Sequence, residues 1–275
     1  PEYTQIFPLP DAYRGAYKGS NTAENYSMEV GHCIEKIQKK GRNVAAFIIE
    51  PIISCGGQIE LPEGFLEASY QKIRAAGGLC ISDEVQTGCG RMGKTYWGFQ
   101  LHGVVPDIVT IGKPLGNGHP IAAVACTQEV ADKFANGMEF FNTFGGNPVS
   151  CAIATEVLKT VEREQLQKNA LVIGDYLKSE LNKLAMEFPI LGDVRGQGLF
   201  LGIELVDSQQ NPMSNQTDYL LNRMKEHGIL MSSDGPDHNV LKIKPPLVFS
   251  KENAEELLST LEKILKEDYM RLSFK

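Results

Sequence analysis

The sequence predicts an α/β domain with a mainly parallel sheet, followed by a smaller α+β domain. Three observations carry this expectation. Through the first 160 residues, short apolar runs alternate with amphipathic segments of helical period, the pattern of buried strands linked by covering helices. From about residue 161 the pattern changes: positions 166, 170, 173, 177, 181 and 184 are all apolar at alternating spacings of four and three, which marks one long helix. The 275 residues suffice for one large or two ordinary cores. We therefore expect domains at 1–160 and 161–275.

Each element has a local reason. Residues 21–40 read as a helix that Gly41 stops, and residues 44–49 as a strand buried on both faces. Pro62 opens a second helical segment with Leu66, Tyr70 and Ile73 on one face, closed by Gly77 and Gly78. Strands follow at 79–83, 107–111 and 121–126, then a helix over 148–164. After the long helix come strands at 199–206 and 240–243. A last helix runs from 251 to about 268, with Leu257, Leu258, Leu261, Ile264 and Leu265 as its stripe. There are no repeats or low-complexity segments.

Composition narrows the class. Apolar residues make up 42% and charged residues 22%, ordinary for a globular protein. The formal charge is -7, and no basic cluster is denser than that of residues 36–42. This argues against nucleic acid or an anionic membrane as the main partner. No apolar stretch is long enough to span a bilayer, and no signal peptide opens the chain. The six cysteines show no C-x-x-C spacing, and four lie in apolar or glycine-rich surroundings. Reduced, buried thiols and a cytoplasmic setting are expected, with an organellar one left open, and no metal site is expected. The chain begins at Pro1 with loop-like sequence to Gly19, so it reads as part of a longer protein.

Two residues suggest the chemistry. Asp83 ends the apolar run from Leu79, and Lys113 follows another within Ile111-Gly112-Lys113-Pro114-Leu115-Gly116. A pyridoxal 5'-phosphate enzyme needs a lysine amine to condense with the cofactor aldehyde and a carboxylate to keep the pyridine nitrogen protonated. Both residues close strand-like segments, where an open sheet gathers its site.

A rival motif lies between them. Residues 88–95, GCGRMGKT, match the phosphate-loop pattern letter for letter and would give Lys94 a role in nucleotide binding. A working phosphate loop leaves a strand directly and opens a helix whose N-terminus holds the phosphates. Here the five residues Asp83 to Thr87 intervene, and Gly98, Gly103 and Pro106 break the stretch that follows. A glycine-rich connection is the stronger reading.

The run Ser82-Asp83-Glu84-Val85-Gln86-Thr87-Gly88-Cys89-Gly90-Arg91-Met92-Gly93 resembles the signature of class III, pyridoxal-phosphate-dependent aminotransferases of fold type I. Gly112-Lys113-Pro114, Thr143-Phe144-Gly145-Gly146-Asn147-Pro148 and Val194-Arg195-Gly196-Gln197-Gly198-Leu199 resemble its other landmarks, in the right order. The phrases Gly116-Asn117-Gly118-His119-Pro120, Ser54-Cys55-Gly56-Gly57-Gln58 and Leu241-Lys242-Ile243-Lys244-Pro245-Pro246 look most like the branch containing ethanolamine-phosphate and 5-phosphohydroxylysine phospho-lyases.

The resemblance implies roles. Lys113 would bond the cofactor and then serve as general base and acid, and Asp83 would pair with the ring nitrogen. Val85 would lie against the ring, Gln86 near its phenolic oxygen, and Thr143 at the phosphate of the neighbouring subunit. That makes a homodimer with shared sites the expected assembly and a small amine or amino acid the expected substrate. Arg195 matches an arginine that clamps a substrate carboxylate, with a structural ion pair as its alternative. Cys55 stands where many relatives place a glutamate that holds that arginine aside. His119 reads as a satisfied loop histidine more readily than as a functional one. The family's phosphate-cupping glycine-serine loop and ring-stacking aromatic would precede Pro1, so the large domain is expected to be partial and the isolated chain to bind cofactor weakly. Amino-group transfer and phosphate elimination share the proton-removing step and are not separated by these residues.

Overall fold

Residues 1 and 3–271 are described by the computed structural model. Along the chain the elements are α1 (Thr22–Lys39), β1 (Ala46–Ile49), β2 (Ile52–Ile53), β3 (Ile59–Glu60), α2 (Phe65–Ala75), β4 (Leu79–Asp83), β5 (Ile108–Ile111), β6 (Ala123–Cys126) and α3 (Gln128–Phe134). They continue with α4 (Pro148–Arg163), α5 (Leu166–Glu187), β7 (Leu191–Gln197), β8 (Phe200–Leu205), α6 (Ser214–Glu226), β9 (Ser232–Asp234), β10 (Val240–Ile243), α7 (Lys251–Leu265) and α8 (Asp268–Arg271). These form two compact units. The first holds Pro1–Pro51, Leu61–Cys89 and Thr95–Gln165; the second holds Ile52–Glu60, Gly90–Lys94 and Leu166–Lys275.

The first unit is built on a sheet of order β1-β4-β5-β6. β1, β4 and β5 are parallel, with Ala46 opposite Leu79 and Asp83 opposite Thr110, and β6 closes the edge antiparallel to β5. Parallel pairing brings the carboxyl ends of β4 and β5 to the same side of the sheet, which is where this fold class gathers functional residues. Inside, Phe47 meets Tyr70 edge-on at 6.2 Å between ring centroids, and Tyr26 meets Phe65 at 6.4 Å. Tyr26, Phe65, Leu66 and Tyr70 are essentially fully buried, each contributing about 1.5–3 kcal/mol from apolar area. The expectation that residues 44–49 are buried on both faces is corrected: Phe47 and Ile49 are buried, but Ile48 is 58% exposed. An apolar run records the absence of polar side chains and does not count the layers laid over it.

The second unit is an antiparallel sheet of order β7-β8-β10-β9 with α5, α6 and α7. All six residues of β8 are buried. Its core joins Ala170, Ile173, Leu177 and Leu181 of α5 to Leu257, Leu261, Ile264 and Leu265 of α7, together with the apolar residues of β8 and β10. The stripe that announced α5 therefore points inward. β7 and α6 went unread in the sequence. β7 carries glycines and charges in place of β-branched residues, and α6 places only Thr217, Leu220 and Met224 in the core. The cysteine expectation holds in part. None of the six cysteines is joined in a disulfide, but only Cys80 and Cys89 are buried, while Cys55, Cys126 and Cys151 are exposed.

Candidate active site

In the first unit, the end of β4 and the end of β5 bring the sequence-predicted pair together. β4 alternates, so Cys80 and Ser82 face the core and Asp83 takes the half-buried face. The Asp83 carboxylate accepts the Val85 backbone N–H at 3.0 Å through Oδ1, a local turn that leaves Oδ2 without a hydrogen-bond partner among the described residues. The Glu84 N–H donates to Thr110 O at 2.9 Å and extends the parallel register one residue beyond Asp83.

On the adjacent strand, β5 passes through Gly112 into a 3-10 turn, Lys113–Leu115, with Pro114 as its second residue. Leu115 N–H donates to Gly112 O at 2.8 Å and Gly116 N–H to Lys113 O at 3.3 Å, so the turn is closed on itself. The Lys113 side chain is exposed, and no ion pair or hydrogen bond engages its amine among the described residues. Val85 joins the two strand ends: its γ carbons lie 3.4 Å from where a β carbon on Gly112 would sit. Gln86 is buried at 7% exposure.

Thr143 is exposed in a turn shaped by two asparagines. Asn142 Oδ1 accepts from Phe144 N–H at 3.1 Å and from Gly145 N–H at 2.8 Å. Asn147 caps α4 by accepting from Ser150 N–H at 2.9 Å, with Pro148 at the first helical position.

A residue passed over in the sequence underlies this edge. Glu84 is fully buried and accepts from Thr87 Oγ1 at 2.6 Å and from the N–H groups of Gly98 and Phe99, each at 2.9 Å. It fastens the segment after β4 to the loop carrying Trp97. The signal was present as an Asp-Glu pair, but a charge beside an apolar strand reads as solvated unless its partners are known.

Residues 88–95 do not adopt a phosphate-loop geometry. Left-handed backbone at Cys89, Gly90 and Gly93 makes successive turns, and the next helical segment is a 3-10 turn at Gly98–His102 rather than an α-helix. Gly93 is there for space: a β carbon would sit 2.5 Å from the Leu171 backbone of α5.

Arg195 lies in the second unit, on β7, and is 7% exposed. Its Nη1 pairs with Glu204 Oε2 at 2.6 Å and Asp193 Oδ2 at 2.8 Å, and Nε donates to Gly57 O at 2.9 Å. Burial pulls the guanidinium pKa down, but the two carboxylates outweigh it and leave the pKa raised. Two acids thus hold Arg195. A clamp on a substrate would have to displace Asp193, whose side chain is 29% exposed against 2% for Glu204. In the same unit Lys242 Nζ pairs with Asp234 Oδ2 at 2.7 Å, which also accepts from Gln58 Nε2 at 2.7 Å.

The Aminotransferase class-III family profile matches residues 3–265. The chain is 49% identical over 267 residues to a Drosophila melanogaster protein named alanine–glyoxylate aminotransferase 2-like, covering 94% of this chain and 54% of that protein. It is 38% identical over 281 residues to ethanolamine-phosphate phospho-lyase homolog 1 of Caenorhabditis elegans, covering 96% of this chain and 60% of that one. Among solved structures, an Arthrobacter phospholyase in complex with phosphoethanolamine superposes with a TM-score of 0.86 at 44% identity, covering 89% of this chain and 58% of its own. The chain thus spans little more than half the length of these relatives, and its α/β fold is that of fold type I. This chain belongs to the class III aminotransferase family.

Proposed function

We propose that the full-length protein is a pyridoxal 5'-phosphate enzyme that transfers an amino group from a small amine or amino acid, with Lys113 bearing the covalent link and moving the proton. One observation carries the reading: Asp83 and Lys113 stand at the carboxyl ends of adjacent parallel strands. The residues fit the cofactor. One Asp83 oxygen is committed to its own turn, and the other is open to a protonated ring nitrogen. No carboxylate among the described residues pairs with the Lys113 amine. Val85 offers an apolar branch between them.

When bound, pyridoxal phosphate supplies an aldehyde for condensation with amines and a ring that accepts electrons. Asp83 holds a proton at the ring nitrogen. Lys113 would hold the cofactor and, as an amine, would take the proton from the substrate carbon and return it as general acid. Gln86 supports the phenolic oxygen. Thr143 presents its hydroxyl to the phosphate of a partner subunit in a homodimer. The exposed Phe140, Phe141 and Phe144 around that turn, at 74%, 77% and 81%, support such an interface. Arg195 reads a substrate acid group only if that group replaces Asp193. Cysteines outside any disulfide support an intracellular setting, and no helix among the described residues is long and apolar enough to cross a membrane.

A second reading, elimination of phosphate from an amino-alcohol phosphate, is favoured by the names of the nematode relative and the Arthrobacter structure. It uses the same proton removal and diverges afterwards. Incubating full-length protein and cofactor with phosphoethanolamine, while following inorganic phosphate and aminated cofactor, separates the two. Aminated cofactor without phosphate supports transfer; stoichiometric phosphate selects elimination. Absence of any cofactor adduct rejects both.

A further inference from the structure

We propose that His119 is a positioning residue: acting through Ser150 and Asn147, it locks the turn that carries Lys113 to the turn that carries Thr143. The loop after Lys113 doubles back on itself. Asn117 and Gly118 take left-handed backbone, at φ 45° and 100°, and His119 N–H donates to Gly116 O at 2.9 Å. The reversal is tight enough that a β carbon on Gly116 would lie 1.9 Å from His119 O. This geometry delivers the imidazole to the first turn of α4, where Nε2 lies 2.8 Å from Ser150 Oγ.

Ser150 is buried at 9% exposure, and its hydroxyl has a second partner. Asn147 Nδ2 donates to Ser150 Oγ at 3.0 Å and, with its other hydrogen, to Phe144 O at 2.8 Å. Asn147 Oδ1 accepts from Ser150 N–H at 2.9 Å, so Ser150 and Asn147 are bonded in both directions. Phe144 N–H donates in turn to Asn142 Oδ1 at 3.1 Å, which places Thr143 between two anchored residues. Asn147 uses one lone pair of the Ser150 oxygen, leaving its hydroxyl hydrogen and second lone pair for His119. The bond therefore forms with either ring tautomer.

An unbroken chain of hydrogen bonds thus runs from Lys113 O, through Gly116, His119, Ser150 and Asn147, to the residues on both sides of Thr143. The Lys113 amine and the Thr143 hydroxyl themselves are not bonded into it. The link fixes the backbone under each group and leaves both side chains available. It follows that His119 orders a glycine-rich loop whose conformational entropy would otherwise have to be lost when ligand binds. This inference rests on the reading of Lys113 and Thr143 as cofactor residues.

The test uses full-length protein with His119→Ala, His119→Gln, Ser150→Ala and the double variant His119→Ala/Ser150→Ala. His119→Gln keeps a donor and acceptor near the position of Nε2. Three quantities are measured: amide exchange at Phe144 and Gly145 without cofactor, the dissociation constant for pyridoxal phosphate, and the fraction of Lys113 trapped by borohydride. The expected result is a roughly tenfold weakening of cofactor affinity and faster exchange at both amides in His119→Ala and Ser150→Ala alike, as loss of one part-buried hydrogen bond of about 1.4 kcal/mol implies. The double variant should add little, and His119→Gln should restore most of the effect. Unchanged exchange and affinity in folded His119→Ala, or fully additive effects, would overturn the proposal. If wild-type protein traps no adduct at Lys113, the cofactor reading fails and takes this inference with it. A wild-type adduct matched by an unaltered His119→Ala adduct and affinity defeats the inference alone.

Discussion

Replacing Glu84 by alanine removes a carboxylate that is fully buried beside Asp83 and accepts three hydrogen bonds of 2.9 Å or less, from Thr87 Oγ1, Gly98 N–H and Phe99 N–H. Bonds to a charged group contribute about 1.5 kcal/mol or more each, so Glu84→Ala should cost about 4–5 kcal/mol. That is a large share of the ~5–15 kcal/mol that holds an ordinary domain together. Glu84→Gln keeps one acceptor oxygen but turns an amide N–H toward one of the donors, and should cost about half as much, ~2 kcal/mol. Urea unfolding followed by circular dichroism gives the loss directly. Trp97, the sequence's one tryptophan, adjoins Gly98 and packs on Gly88, so its emission reports the same region. A loss below about 1 kcal/mol in Glu84→Ala with unchanged Trp97 emission would refute the reasoning, because such a result means the two amides find other acceptors without cost.

Three further outcomes follow from the same structure. Glu204→Ala removes the more deeply buried of the two carboxylates that hold the Arg195 guanidinium and leaves Asp193, so it should destabilise the protein by about 1.5–3 kcal/mol in urea unfolding, whereas an unchanged unfolding midpoint would mean that the pair does not hold this unit. Burial pushes the Cys80 thiol up to about 12 from its ordinary value near 9. Because the folded pKa is raised, Cys80's contribution to stability is present below pH ~9 and lost as pH climbs toward 12. At pH 8, iodoacetamide should label the exposed Cys126 and Cys151 before Cys80, and equal rates by mass spectrometry would contradict this. Gly93→Ala must push against the Leu171 backbone 2.5 Å away at a positive φ, and should lower the melting temperature by several degrees, on the order of 2 kcal/mol; an unchanged melting temperature counts against the close approach.

The sequence was most readable where local chemistry and tertiary context agree. Leu79–Asp83 is an apolar strand preceded by two glycines and ended by an acid, and it folds as read. The stripe of α5 points into the core as its spacing requires. β7 was unreadable because Gly192, Asp193, Arg195 and Gly196 have poor strand propensity, and long-range pairing with β8 overrides them. Ile48 marks the opposite failure, an apolar residue whose exposure no run of neighbours could reveal. At the site, Asp83 and Lys113 were legible as residue types at strand ends, and their meeting on one sheet edge depends on parallel pairing. The partners of Arg195 and the His119–Ser150 bond span ranges of sequence that carry no periodic signal.

The central claim is that Lys113 is the residue that bonds pyridoxal phosphate. Its most direct test is borohydride reduction of full-length protein incubated with the cofactor, followed by peptide mass mapping. The account predicts a pyridoxyl mass increment on the peptide containing Lys113, lost in Lys113→Ala, with no increment at Lys94. An increment that persists in folded Lys113→Ala, or that maps to another lysine, would contradict it.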